Sequence, residues 1–343
     1  MADKSVIARK QGKAGRLTLN RPKALHSLNA EMVALMSDAL IDWRDDPDVD
    51  LVVIDHAEGT RGFCAGGDVR MLAESGAKGG EEACAFFAAE YRLNTLLEEY
   101  EKPVVAIQDG VTMGGGVGIS VHGDFRIATP NTMFAMPESG IGLFPDVGGG
   151  WFLPRLPGAL GMWLALTGAR LKGEDVLAVG VSTHFAENPE GLADELCEKG
   201  VSALDPLKTN AEPSFTEHIP EIDACFAKES VEAIVTCLED GSDWAKGQAE
   251  TLKSKSPLTL KIAHRQLHEG AKCKDFRENM RMEYRIASRL VLTKSFHEGV
   301  RAVLIDKDNE PNWQPPNLES VSPQMLDTFF EPLGAGELTF IEK

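Results

Sequence analysis

Two glycine-rich loops, Phe63-Cys64-Ala65-Gly66-Gly67-Asp68 and Met113-Gly114-Gly115-Gly116, each follow a buried-strand pattern and each lead into a helical one. A backbone N–H at a helix start has no intrahelical partner, so two such loops can present free donors to a single oxygen atom. Glycine at Gly66, Gly67 and Gly115 lets the chain turn sharply and lets a ligand approach with no Cβ in the way. A carbonyl that becomes an enolate or a tetrahedral oxyanion needs such a site, where losing one donor costs roughly 2.7–4 kcal/mol. Tight turns would explain either loop alone. Both loops together with the acids below favour a polarised carbonyl.

The elements around the loops repeat. Gly15 to Leu19 reads as a strand, Asn29 as the N-cap of a helix from Ala30 to Trp43, and Leu51 to Ile54 as a buried strand that ends in the first loop. A helix from about Glu82 to Glu99 feeds the strand Val104 to Ile107, which ends in the second loop, and Phe125 to Ala128 is a third strand-like run. After Gly158 the pattern is helical, with segments Ala159 to Leu166 and Gly173 to Val179. A polar stretch from Glu187 to Ile219 follows, and then several helices from Ser230 to Asp306. Lys208 to Pro220 reads as a linker or exposed insertion. The expected division is residues 1–200, carrying the site, and residues 201–343, a helical region.

A chain of 343 residues with 43% hydrophobic content can bury a large core. The 35 basic against 53 acidic residues give a formal charge of -18, which repels a nucleic-acid backbone, so any anionic ligand must meet a local basic patch. No apolar run approaches the roughly 20 residues that span a bilayer. The first residues, Met1-Ala2-Asp3-Lys4-Ser5, lack both the apolar core of a signal peptide and the Arg/Ser-rich character of a transit peptide. A soluble protein without nucleic-acid or membrane partners is expected. The six cysteines form no Cys-x-x-Cys pair and no zinc-like spacing with histidine, and they read as reduced thiols with no metal.

Other chemistries lack their motifs. No Gly-Lys-Ser/Thr follows either loop and no Gly-x-Ser-x-Gly elbow is present, which argues against a phosphate cradle and against a serine hydrolase of that type. Cys64 has no evident partner base and reads as a packing residue. Glu138, after Met136-Pro137, and Asp146, between Pro145 and Val147, sit among apolar residues and glycines, where a carboxylate acquires a raised pKa and can act as base, nucleophile or acid. Capping or turn stabilisation is the competing role for each. Glu90 falls within the apolar stripe Ala83, Phe86, Phe87, Tyr91, Leu97, either lining a pocket or pairing with a buried base. His122 is expected in the wall of the second loop's helix.

Taken together, Asn20-Arg21-Pro22-Lys23-Ala24-Leu25, the two loops and Met136-Pro137-Glu138 resemble the enoyl-CoA hydratase/isomerase (crotonase) superfamily, over about the first 190 residues. The run Gly140 to Gly150 and the later Phe296 to Asp308 are similar to members that hydrolyse a 3-hydroxyacyl-CoA thioester in valine breakdown. Ser256-Pro257, Lys261-Ile262, Arg265-Gln266-Leu267 and Met282-Glu283-Tyr284-Arg285 are consistent with them. The resemblance implies an α/β crotonase-like spiral of repeated β-β-α turns with a C-terminal α-helical region. It implies Gly67 and Gly115 as oxyanion donors, Glu138 as base or nucleophile, Asp146 near the substrate hydroxyl and Glu90 in the pocket. CoA would run past Lys23, Ala24 and Leu25, with Arg21 and Lys23 supplying positive charge. Hydratases carry a second catalytic glutamate where this chain has Gly118, which favours hydrolysis of 3-hydroxyisobutyryl-CoA, with 3-hydroxypropionyl-CoA as a further candidate, over hydration or isomerisation of an enoyl-CoA.

The implied partner is an acyl-CoA substrate. No cofactor is implied, since CoA belongs to the substrate, and a homo-oligomer is allowed. The expected compartment is the cytoplasm for a bacterial source, or the mitochondrial matrix for a eukaryotic one with its transit segment removed.

Overall fold

The computed structural model describes residues 4–342. Strands β1 (Val6–Gln11) and β2 (Ala14–Leu19) form an antiparallel pair, and helix α1 (Ala30–Arg44) follows, capped by Asn29, whose side chain accepts the Met32 N–H. The chain then alternates between two sheets. Strands β3 (Leu51–His56), β5 (Val104–Ile107) and β7 (Phe125–Ala128) add in parallel to β2, and β10 (His184–Phe185) closes a six-stranded sheet of order β1-β2-β3-β5-β7-β10. The strand after each of the three, β4 (Gly62–Cys64), β6 (Val111–Met113) and β8 (Met133–Ala135), enters a second sheet of order β4-β6-β8-β9, where β9 (Leu171–Lys172) pairs antiparallel to β8. Each winding contributes one strand to each sheet, and this alternation is the spiral.

The continuous apolar run of β3 follows from burial on both faces. Val52 and Ile54 pack into the main core with α1, whereas Leu51 and Val53 face a smaller cluster around α8 (Leu192–Lys199), with Leu192, Leu196 and Cys197. Helix α8 lies inside the stretch 187–219, which the sequence presents as merely polar. Only one side of its LADELCEK segment is apolar.

Helices α2 (Val69–Gly76) and α3 (Glu81–Glu98) follow the first loop, and α4 (Gly115–Gly118) follows the second. Helices α5 (Gly149–Phe152), α6 (Leu160–Thr167) and α7 (Glu174–Ala178) lead to α8. Beyond it come α9 (Ile219–Phe226), α10 (Val231–Glu239), α11 (Asp243–Lys253), α12 (Pro257–Gly270), α13 (Phe276–Leu290), α14 (Lys294–Val300) and α15 (Pro323–Phe330). These later helices share the main core with α3 and α6.

One expectation is refined and one is corrected. Residues 208–220 are largely exposed, as an insertion would be, but they are not detached: the Ser214 N–H and hydroxyl donate to Asp175, Phe215 packs on Trp163, and α9 starts at Ile219. The cysteines are not all free either, since Cys225 and Cys237 form a disulfide between α9 and α10. Adjacent helices bring two distant thiols together, a pairing that sequence spacing does not reveal. Among the described residues no helix is long and apolar enough to cross a membrane.

Candidate active site

The two glycine loops touch. Gly66 and Gly114 have φ of +118° and +47°, a region that glycine enters without strain, and a Cβ at Gly114 would lie 3.5 Å from Gly66 Cα and 3.0 Å from Glu138 Oε1. At Gly115 the need is space, because a Cβ there would lie 2.6 Å from Glu90 Oε1. Gly67 is less constrained, its missing Cβ falling at ordinary contact distance from Phe86. The Leu28 N–H donates to Gly66 O and the Ala65 N–H to Leu25 O, so the segment after Pro22 pins the first loop from behind. Among the described residues, neither the Gly67 nor the Gly115 N–H donates a hydrogen bond.

Gly67 and Gly115 line a cavity of about 510 Å³ together with Glu90, Glu138 and Asp146. Phe86, Phe87 and Leu143 give it an apolar wall, and Val303, Leu304, Asn309 and Pro311 bring the segment after α14 to the same space. Lys23 and Leu25 do not line it: Lys23 is exposed, and Leu25 acts through its carbonyl on the first loop. Arg21 donates to Ser27 O and lies 3.8 Å from Asp68. Arg170 and Lys255 also line the cavity, two cations that no sequence motif singles out.

The three acids are buried. Burial, then the charge of Asp146, holds the Glu90 carboxyl well above the ordinary carboxylate range, and burial with the charges of Asp146 and Glu90 does the same to Glu138. Burial also pushes Asp146 up to about 6, against a 2.7 Å hydrogen bond donated by the Tyr91 hydroxyl to its Oδ2, which favours the anion. Glu90 Oε1 and Glu138 Oε2 have no hydrogen-bond partner among the described residues. Glu90 therefore presents an acceptor to the cavity, and no basic residue forms an ion pair with it among the described residues. Three interacting carboxyls titrate as a set, with Asp146 the most readily ionised.

Asp146 opens a strained turn. Val147, a buried β-branched residue, has φ of +52°, a conformation that costs roughly 1–2 kcal/mol. His122 Nε2–H donates to Val147 O at 2.7 Å, so His122 supports the turn from behind and does not line the cavity. A Cβ at Gly118 would lie 2.6 Å from Val147 Cβ and 2.9 Å from Asn94 Nδ2, so this turn fills the space into which a side chain at position 118 would grow. Cys64 is fully buried and its thiol is pushed up to about 12 by burial, the state of an unreactive packing residue.

Sequence reasoning did not single out Tyr91 as a partner of Asp146, although a tyrosine in an apolar stripe requires somewhere for its hydroxyl. It named Glu283 only within the run Met282 to Arg285 and gave it no role, although Glu283 lies on the buried side of α13 with Phe276, Met280, Ile286 and Leu290. A lone carboxylate in such a stripe was the available signal.

Residues 14–330 match the family model described as enoyl-CoA hydratase/isomerase. The chain belongs to the enoyl-CoA hydratase/isomerase family. It is 48% identical to the "3-hydroxyisobutyryl-CoA hydrolase, mitochondrial" of Danio rerio, covering 98% of this chain and 92% of that protein. It is 44% identical to the Homo sapiens protein of the same name, covering 99% and 92%. Among solved structures, a carnitinyl-CoA dehydratase from Mycobacterium thermoresistibile superposes with a TM-score of 0.95 at 36% identity, covering 99% of this chain and 100% of that one. An enoyl-CoA hydratase from Rhodobacter sphaeroides gives 0.90 at 38% identity, covering 98% and 100%. The likeness to these family structures spans the C-terminal helices as well as the spiral.

Proposed function

We propose that this family member hydrolyses the thioester of 3-hydroxyisobutyryl-CoA, giving 3-hydroxyisobutyrate and CoA in valine breakdown. The observation that carries the reading is Gly118. Syn hydration needs a second carboxylate where the chain has this glycine, and Val147 occupies the space. Thioester hydrolysis needs an oxyanion site and one carboxylate at the carbonyl. The names of the relatives at 44% and 48% identity agree with it.

In this reading the Gly67 and Gly115 N–H groups hold the thioester oxygen as it gains charge. Glu138, beside the second loop, removes a proton from water; the hydroxide adds to the carbonyl carbon, the C–S bond breaks, and the CoA thiolate takes the proton from Glu138. Alternatively, the Glu138 carboxylate adds directly, expels the thiolate to give an acyl-glutamyl anhydride, and water then cleaves it. Both routes balance and use the same residue. Asp146, held by Tyr91, and Glu90 are the acceptors for the substrate 3-hydroxyl, which 3-hydroxypropionyl-CoA shares. Such a pocket distinguishes the two substrates only by one methyl, worth roughly 1–3 kcal/mol. No resident cofactor enters either route. In a eukaryotic host the reading places the protein in the mitochondrial matrix, in a bacterial one in the cytoplasm, and its assembly as a homo-oligomer is read by light scattering.

The titles of the solved neighbours favour hydration or dehydration as the second reading. Free thiol released from 3-hydroxyisobutyryl-CoA, measured beside loss of the conjugated double bond of crotonyl-CoA, separates them. Thiol release should dominate and should fall by at least about 100-fold in Glu138→Gln. Faster consumption of crotonyl-CoA would replace the hydrolase reading.

A further inference from the structure

The Glu283 carboxylate has no cation within its hydrogen-bonding shell, yet it is wholly buried. Its Oε2 accepts the Gly148 N–H at 2.7 Å, and its Oε1 accepts the Gly150 N–H at 2.8 Å, the Asn279 Nδ2 at 2.9 Å and the Gln266 Nε2 at 3.1 Å. Four donors converge on the two oxygens of one carboxyl and fix its place. Two of those donors belong to the turn that begins at Asp146. The same Gln266 amide also donates to Pro145 O at 2.7 Å, and His122 donates to Val147 O at 2.7 Å. The backbone on both sides of Asp146 is therefore fastened by side chains from α12 and α13 and by His122, in the turn after α4. A β-branched residue in the left-handed region survives only where its surroundings over-determine it, and Val147 is such a residue.

We propose that Glu283 is a positioning residue, which clamps the strained 146–150 turn through the Gly148 and Gly150 N–H groups and thereby aims the Asp146 carboxylate into the cavity. The inference rests on Asp146 acting in thioester hydrolysis. Glu283 itself does not line the cavity. Replacing it acts through Asp146 and through no direct contact with substrate.

A double-mutant cycle tests this. Glu283→Gln keeps the shape but turns an N–H₂ group toward one of the backbone donors. In thiol release from 3-hydroxyisobutyryl-CoA it should lower kcat by about 10-fold or more, with KM within about threefold, since a misplacement of about 1 Å can cost 100-fold. Placed in an Asp146→Asn background, the same change should cost less than about threefold, because the group it positions is gone. An unchanged kcat for Glu283→Gln, or an equal loss in both backgrounds while Asp146→Asn is itself impaired, overturns the clamp. Asp146→Asn with the parent kcat instead removes the role of Asp146, and the clamp falls with it. Should Glu283→Gln not fold, Gln266→Met, which frees Pro145 O, is carried through the same cycle and read by the same criteria.

Discussion

Tyr91 and Asp146 share a 2.7 Å hydrogen bond in the wall of the cavity, and the hydroxyl favours the Asp146 anion against the burial that raises it. Tyr91 is fully buried, so phenylalanine fits its space. Tyr91→Phe removes a donor to the anion and should raise Asp146 above its value of about 6. The Asp146 titration itself, followed by NMR of a 13C-labelled carboxyl, should move to higher pH by up to about one unit. An Asp146 titration that does not move would show that the Tyr91 hydroxyl does not favour the anion.

The buried carboxyls also set how stability changes with pH. Burial raises Glu283 to about 7 and holds Glu90 and Glu138 well above the ordinary carboxylate range, so the folded chain binds protons that the unfolded chain has released. Each such group contributes stability that is complete below its unfolded pKa and is lost as pH rises through its folded one. His26, His184 and His264, lowered chiefly by burial, act in the opposite sense only below about pH 6.5. The melting temperature should therefore fall between pH 6.5 and 8, and Glu138→Gln should show a shallower fall. Calorimetry at three pH values reads this directly, and a melting temperature that climbs with pH over the window contradicts it.

Asp146→Asn should separate stability from activity. The amide keeps an oxygen for Tyr91 but relieves a buried charge surrounded by Glu90, Glu138 and Glu283. At pH 8 the melting temperature should rise by roughly 1–4 °C while kcat falls by at least about 10-fold. A variant that is both less stable and inactive would mean that the charge is better compensated than the burial implies.

Restoring a glutamate at position 118 should not create a hydratase. Its Cβ would meet Val147 Cβ at 2.6 Å, and overpacking of this kind costs about 1–3 kcal/mol. Gly118→Glu is expected to lose stability and thiol release without gaining hydration of crotonyl-CoA. Turnover of crotonyl-CoA by the single variant would remove steric exclusion as the reason for its absence.

Cys64 offers a negative control within the first loop. With its thiol pushed up to about 12 and its side chain inaccessible, it should remain unmodified by iodoacetamide in the native protein and react after denaturation. Rapid native alkylation, read by mass spectrometry, would reopen it as a nucleophile.

What was legible in the sequence was local or periodic. Asn29 announces α1, the apolar runs 51–54 and 104–107 announce β3 and β5, and Glu138 and Asp146 stand out because acids among apolar residues need a reason. The three-residue strands β4, β6 and β8 were too short to carry a period, although they form the second sheet. The Cys225–Cys237 bond, the Tyr91–Asp146 contact and the four donors on Glu283 depend on which helices become neighbours, and no single segment encodes that. Lys23, which the family resemblance sets along CoA, is exposed and outside the cavity, and the cations that line the cavity are Arg170 and Lys255, on later parts of the chain.

Glu283 lies 135 residues beyond Gly148, the donor it accepts from. During synthesis the glycine loops and all three cavity acids leave the ribosome long before α13 does. Until that helix docks, nothing from the C-terminal side fastens the turn after Asp146. If Glu283 is the clamp, the order of emergence makes thioester cleavage a late-acquired property, expected only after α13 has emerged and docked.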